Sequence, residues 1–305
     1  MLDIFALDGA AKKVDKIERG NKLWVDVTDP KNGELDFLKD FGVHPLTIED
    51  CSKTTGRPKL EEFENYLYII LHGVRKEKFG FVQLNFILGK DFVISIHRNH
   101  PAFAELKNNM NKLTHIMKNG MDMLLHYLTD TEIDNYFPVL EFVESEIDKL
   151  EDRVFKEHNP HLVSRIFHLK RRLLNIRKHI TPQRDVIGQI LKRDLPFIKR
   201  GSIAYYRDIY DHISRINESA ENYREILSNI LEVHLSVGTH RMNEIMKVLT
   251  VMATIMLPLT LITSIYGMNL RIPESNYDFA YYGVLASMLL IGSGMLYYFR
   301  KKGWM

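Results

Sequence analysis

Charged side chains are spread along the chain as far as Lys247 and then nearly vanish. Residues 248–270 (VLTVMATIMLPLTLITSIYGMNL) make an uncharged run of about 23 positions, and residues 279–299 (FAYYGVLASMLLIGSGMLYYF) one of about 21. A helix needs roughly 20 apolar residues to cross the hydrocarbon core of a bilayer. Two buried helices of a soluble core are the competing interpretation, but runs this long and free of charge are membrane spans by default. The flanks agree. Arg241 and Lys247 precede the first run, and Arg300, Lys301 and Lys302 follow the second. The link between them, RIPESNYD, holds one positive and two negative residues. The positive-inside rule then puts both termini in the cytosol and the short loop outside. Tyr266, Tyr281, Tyr282, Tyr297, Tyr298 and Trp304 lie near the run ends, where interfacial aromatic residues belong.

Before the spans the pattern has two parts. Residues 23–27, 66–74, 81–88 and 91–97 are β-branched and aromatic runs of strand length with glycine-containing breaks between them. Asp29-Pro30 ends the first and predicts a helix to about Phe41, and residues 45–50 predict a short helix. Residues 1–130 are therefore expected to form a mixed α/β domain. From 130 the apolar spacing becomes helical. It predicts one helix over 130–158 and another over 160–192 interrupted at Pro182. It also predicts a single helix over about 203–265, on the order of 90 Å long at 1.5 Å per residue. The expected organisation is a cytosolic helical segment at 131–201, a stalk helix at 202–247 and a first span at 248–269. An external loop at 270–278, a second span at 279–299 and a basic cytosolic tail at 300–305 follow. A helix that long needs neighbours to bury its apolar stripe, which implies a bundle or an oligomer.

Composition narrows the function. The formal net charge is +2, which gives no footprint for nucleic acid. Cys51 is the single cysteine, so neither an intrachain disulfide nor a cysteine zinc cluster is available. The first residues, MLDIFALDGAAKKVDK, carry charges and no apolar core, so no signal peptide is expected there and the soluble part is expected in the cytosol. There is no Gly-x-x-x-x-Gly-Lys-Ser/Thr loop for a nucleotide and no recognisable nucleophile–base pair, so the chain is not expected to be an enzyme.

Two helices cannot enclose a water-filled path, so a channel requires several copies around one axis. Along the first span Asn243, Met246, Leu249–Thr250, Ala253, Leu257, Thr260 and Ser264 recur every three or four residues. This stripe is either a pore lining or a small-residue packing face between helices. Tyr266-Gly267-Met268-Asn269 follows it. Glycine and asparagine there also suit a left-handed helix cap. Mg²⁺ demands octahedral oxygen coordination and gives up water reluctantly. A ring of Asn269 side-chain carbonyls, with the backbone carbonyls of Gly267 and Met268, would hydrogen-bond the ion's own water shell instead of stripping it. No histidine or cysteine lies in the first span or the loop, where a softer metal would want them.

Gly267-Met268-Asn269, closing the penultimate span before a short acidic loop and a last span, resembles the signature of the CorA magnesium-channel family. So do MNEIMKVLTVMATIMLPLTLITSIYGMN, YYRDIYDH, HPLTIED, GRPKLEEFENYLYIIL and the ending YYFRKKGWM. The loop departs from the family's frequent Met-Pro-Glu-Leu, having Ile272-Pro273-Glu274-Ser275. The resemblance implies a funnel-shaped homopentamer in the prokaryotic cell membrane that takes up Mg²⁺ down the membrane potential, with hydrated Co²⁺ able to pass. It implies a filter at Gly267, Met268 and Asn269 and a hydrophobic constriction at Met246, Leu249 and Leu257. Asn243 and Thr260 would form polar rings, and Glu274 would concentrate cations at the mouth. It also implies closure by cytosolic Mg²⁺ between subunits at Glu49, Asp50 and Asp208, with Asp130 and His212 as outer members. A Co²⁺, Ni²⁺ or Zn²⁺ transporter of the same architecture and a non-conducting membrane-anchored sensor are the alternatives.

Overall fold

A computed structural model describes residues 1–17, 20–31, 33–75, 80–98, 100, 103–154, 160–269 and 279–304. The expected external loop, with Glu274, lies outside them. The chain divides into two compact units. One comprises Met1–Arg153 and Asn159–Ile230, the other Val154–His158 and Leu231–Met305.

The first unit is built on a sheet of seven strands: β1 (Leu2–Asp8), β2 (Ala10–Val14), β3 (Lys22–Thr28), β4 (Lys59–Glu62), β5 (Leu67–Arg75), β6 (Gly80–Leu88) and β7 (Phe92–His97). Their order is β2-β1-β3-β7-β6-β5-β4, with β3 and β7 parallel and every other pair antiparallel. Strand alternation sends Ile4, Ala6, Leu23, Val25, Val27, Ile94 and Ile96 to one face, where they pack with Leu38, Cys51, Tyr66 and Tyr68. A short 3₁₀ helix (Asp36–Phe41) and α1 (Pro45–Ser52) accompany this face. The other face carries Phe5 stacked on Trp24 at 5.0 Å, with Phe103 edge-on to Trp24. Each fully buried side chain of this size contributes about 1.5–3 kcal/mol.

The same face buries a charge network. Asp26, on β3, has no exposed surface. Its carboxylate takes Lys107 Nζ at 2.5 Å, His97 Nε2 at 3.2 Å and the Ser95 hydroxyl. Burial pushes the Asp26 carboxyl up, but His97 and Lys107 outweigh it and hold it below the usual carboxylate range. Lys107 also bonds Asp3 at 2.9 Å, so α2 (Ala104–Asn108) is tied to two strands at once.

Three expectations need correction. The run after Asp29-Pro30 is not a helix to Phe41, because Asp29 (φ 50°) and Gly33 (φ 87°) take left-handed conformations that stop helix propagation before Asp36. The segment 130–158 is not one helix. After α3 (Met110–Asn119), α4 (Met121–Asp134) stops short of Tyr136, and α5 (Phe137–Val154) starts after it. Tyr136 is fully buried and its hydroxyl donates to His72 O at 2.8 Å. Finally, α6 (Pro160–Lys192) passes through Pro182 without a break. Lys178, whose carbonyl loses its helical donor there, is exposed, so water can satisfy it.

The longest helix, α7 (Ile203–Tyr266, 64 residues), matches the predicted 203–265 closely. Its start is fastened to α4. Asp122, 2% exposed, accepts from Ser202 Oγ at 2.6 Å and from Lys199 N at 3.1 Å, and Tyr206 Oη donates to Asp122 O at 3.0 Å.

The second unit contains the end of α7 and α8 (Ala280–Lys301). Both are long and apolar enough to cross a membrane, and their apolar windows are almost wholly exposed. On α8 the less exposed positions are Val284, Met288, Gly292, Met295 and Phe299, a single stripe. On α7 they are Val251, Ile255, Pro258, Leu259 and Ile262. The two stripes face each other, since a Cβ on Gly292 would lie 4.0 Å from Leu259 Cδ1. The tail ends α8 in a Schellman turn. Gly303 (φ 70°) bonds Arg300 O, Trp304 N bonds Phe299 O at 3.0 Å, and the Trp304 ring returns to Phe299.

Asp122→Ala removes two buried acceptor contacts, each worth about 1–3 kcal/mol when its partner is left unmade. We expect the thermal unfolding midpoint of the full-length protein in detergent to fall by several degrees, while an exposed control such as Asp8→Ala leaves it unchanged.

Candidate functional site

The first candidate is the outer face of α7. Asn243, Met246, Leu249, Thr250, Ala253, Leu257, Thr260 and Ser264 are all exposed. At about 100° per residue they centre roughly half a turn away from the Val251–Ile255–Leu259–Ile262 face that meets α8. The helix is therefore two-sided: one side is covered by its own hairpin partner and the other is left open. The hydroxyls on the open side are oriented. Thr250 Oγ1 donates to Met246 O and Thr260 Oγ1 to Met256 O, each at 2.7 Å. With their protons committed to the backbone, these oxygens present acceptor lone pairs, which suit the outward-pointing hydrogens of a cation's water shell.

The stripe ends at Gly267, Met268 and Asn269, all exposed. Gly267 N bonds Thr263 O at 2.9 Å and Met268 N bonds Ile265 O at 3.3 Å. Neither Gly267 nor Asn269 takes the left-handed conformation, so a left-handed cap is not what this glycine supplies. What requires it is a close approach: a Cβ at 267 would lie 2.9 Å from the Thr263 carbonyl oxygen. Pro258 lies within α7. It deprives the Thr254 carbonyl of its helical donor, and Thr254 is exposed on the flank of the stripe.

The second candidate lies in the first unit, where α4 meets α7. His212 Nδ1 is 3.2 Å from Asp134 Oδ1 and 3.9 Å from Asp130 Oδ1, and its Nε2 is 3.8 Å from Asp208 Oδ2. One ligand atom each from Asp130, Asp134 and His212 fall within 4.8 Å of one another, a set that could hold a metal ion. Asp130 Oδ1 and His212 Nδ1 are buried without a hydrogen-bond partner among the described residues, which fits an additional ligand. Burial first, and then the Asp134 and Asp208 charges, push the Asp130 carboxyl up to about 6, against the opposing pull of His212. Three predicted residues, Asp130, Asp208 and His212, are thus brought together. Asp134 was missed. Its signal was present in the spacing: 130 and 134, like 208 and 212, are i, i+4 pairs on one helix face.

Glu49 and Asp50 stand elsewhere, on α1. Asp50 takes Lys59 at 2.8 Å and Lys53 at 3.0 Å, and Glu49 takes Lys53 at 2.9 Å. Lys59, ahead of Lys53, holds the Asp50 carboxyl below the usual range. A cation reaching Asp50 must share it with two ammonium groups.

Against this geometry the relatives are informative. A profile of the CorA-like Mg²⁺ transporter protein family matches residues 20–301. The chain belongs to the CorA-like Mg²⁺ transporter family. It is 38% identical over 275 residues to the cobalt/magnesium transport protein CorA of Thermotoga maritima, covering 87% of this chain and 78% of that protein. It is 34% identical over 289 residues to the putative metal ion transporter YfjQ of Bacillus subtilis, covering 92% and 89%. Its fold superposes on the complete structure of the CorA magnesium transporter from Methanocaldococcus jannaschii with a TM-score of 0.88 and 26% identity, over 100% of this chain and 99% of that one. CorA-like proteins are transporters of divalent cations, not enzymes. The soluble α/β domain, the long helix and the two candidate membrane helices of this chain are the CorA architecture.

The acidic cluster has a pH signature. A carboxyl whose folded pKa is raised stabilises the fold below its unfolded value of 3.8 and loses that contribution as pH rises through about 6. Without divalent cation, Asp130→Asn is therefore expected to be more stable than the parent above pH 6 and no more stable near pH 4, in thermal melts across that range. Divalent-cation binding at the cluster should weaken as pH falls through about 6, because the ligand must be ionised.

Proposed function

We propose that copies of this chain surround a pore lined by the open face of α7, and that hydrated Mg²⁺ enters the cytosol through it down the membrane potential. The observation that carries this reading is the division of α7 into a face covered by α8 and an opposite, exposed face of alternating hydroxyl, amide and apolar groups that ends at Gly267-Met268-Asn269. In hydrocarbon an unpaired backbone carbonyl costs several kcal/mol, so the Thr254 carbonyl needs a donor from water or from a neighbouring copy. Both are supplied if α7 sits at the centre of an oligomer. The driving force needs no nucleotide: about 2.3 kcal/mol per charge per 100 mV acts on a divalent ion twice over. In this reading the Asn269 amides accept from the ion's water shell at the mouth, and Asn243 and Thr260 repeat that service further along. Met246, Leu249 and Leu257 form apolar rings that close by dewetting.

Gating is assigned to cytosolic Mg²⁺. Asp208 and His212 lie on the same helix as the pore stripe. A divalent cation on Asp130, Asp134 and His212, with Asp208 on the other side of the imidazole, would neutralise mutually repelling carboxylates, and its loss would loosen the start of the helix whose far end lines the pore. Glu49 and Asp50 are proposed to join across a subunit boundary. Co²⁺ is the second cargo, because a filter that reads the water shell separates hydrated ions of similar size poorly. The printed name of the Thermotoga maritima relative includes cobalt.

Reconstituted flux tests this directly. Asn269→Ala is expected to abolish Mg²⁺ uptake into proteoliposomes while the oligomer's size-exclusion profile is retained, and normal uptake by this variant would remove the filter assignment. Gly267→Ala, which sets a methyl against the Thr263 carbonyl, is expected to lose most uptake as well. In Asp208→Asn with Asp130→Asn, the concentration of internal Mg²⁺ needed to halve the flux should rise at least several-fold.

A further inference from the structure

Beside α1 and the β5, β6 and β7 strands lies a cavity of about 100 Å³, lined in part by Lys53, Arg75, Gln83, Asn85 and Arg98. At the ~30 Å³ that a water occupies in the liquid, it has room for about three waters or one tetrahedral oxyanion. Three cationic side chains border it, and it shares no residue with the Asp130–His212 cluster. Arg75 Nη2 donates to Arg98 O at 3.1 Å, and Arg98 Nη2 donates to Ser52 O at 2.9 Å. These bonds to neutral carbonyls aim two planar guanidiniums without balancing their charge. Among the described residues neither arginine has a carboxylate partner, and the Nε of each is buried with no hydrogen-bond partner. A guanidinium offers five N–H donors in a fixed fork, and burying one unmade is costly. Gln83 and Asn85 serve as polar wall rather than as ligands. Gln83 takes the Gly56 N–H and donates to Asn85 Oδ1 at 2.8 Å, and Asn85 Oδ1 also accepts from Tyr68.

We propose that this cavity binds a phosphate-class oxyanion, with Arg75 and Arg98 as forked donors and Lys53 as the third cation. Arg–phosphate recognition is planar and bidentate, which is what two oriented guanidiniums around one small volume provide. Lys53 is the residue through which such a site touches the rest of the molecule, since it also pairs with Glu49 and Asp50. The source of the oxyanion is either free phosphate or the terminal phosphate of a nucleotide. The cavity volume admits only the phosphate group, so a nucleoside would remain outside.

The test is calorimetric titration of the full-length protein in detergent with inorganic phosphate, in a magnesium-free buffer of low ionic strength. Saturable binding at one site per chain is expected. Arg75→Ala and Arg98→Ala should each weaken it roughly tenfold, or ~1.4 kcal/mol. Arg98→Lys keeps the charge and most of the volume, so it should fold as the parent does and bind with an affinity between the two. ATP added to the phosphate-bound protein separates the sources: competition assigns the site to a nucleotide phosphate, and no competition assigns it to free phosphate. No saturable phosphate binding by the parent protein, or equal affinity in the parent, Arg75→Ala and Arg98→Lys, overturns the proposal.

Discussion

The proposed pore answers to one constraint: a divalent cation keeps its water, and a bilayer core supplies none. The hydrocarbon also demands that backbone polar groups facing it be paired, which a helix does within itself. A helix can satisfy both demands only if its two sides differ. α7 has that form. Val251, Leu259 and Ile262 turn towards α8, while Asn243, Thr250, Thr260 and Ser264 lie on the exposed side. The Thr250 and Thr260 hydroxyls donate inward to their own backbone and leave acceptor oxygens outward, which is the polarity that water around a cation requires. Gly267 ends the helix because only a residue without a side chain can come so near the Thr263 carbonyl.

The same helix begins in the soluble unit, where Asp122 holds it through Ser202 and the Lys199 amide. One turn and a half further on, Asp208 and His212 meet Asp130 and Asp134. Two anchoring devices of different character therefore act on one element. The Asp122 contacts are buried and permanent. The carboxylate cluster is half-exposed, and burial and its acidic neighbours raise the Asp130 carboxyl to about 6. In the proposed function a cation would supply the missing compensation, so the second device would depend on conditions and the first does not. That contrast is why the proposed function assigns gating to the cluster.

Much of this was legible in the sequence, and the limits of legibility have physical causes. The apolar spans and the full extent of α7 were visible because uncharged length and helical spacing are local signals, and the small-polar stripe on α7 was visible for the same reason. β1 and β2 were not seen: their charged residues, Asp3, Lys12 and Lys13, sit among the apolar ones, and Asp3 is buried by Lys13 and Lys107. β4 is a four-residue edge strand, KLEE, whose charges protect an edge rather than announce a strand. Asp134 could have been found from its spacing to Asp130. The lysines that occupy Asp50 could not, because Lys59 reaches it from another element. Which side of α7 meets α8 was also beyond the sequence, since a small-residue stripe also suits helix packing. In the structure the stripe is the side α8 leaves open.

The central claim is therefore about one face of one helix, and Cys51 makes it accessible to a clean measurement. That single cysteine is buried, with burial pushing its thiol up to about 12, so it is a quiet background for labelling. Single cysteines placed along α7 from 243 to 264 can be treated with a small water-soluble thiol reagent in proteoliposomes, with Mg²⁺ flux as the readout. The account predicts that cysteines at 243, 250, 253, 257, 260 and 264 react and alter flux, while those at 251, 255, 259 and 262 do not. Reaction on the α8-facing side, or no helical periodicity at all, would contradict it.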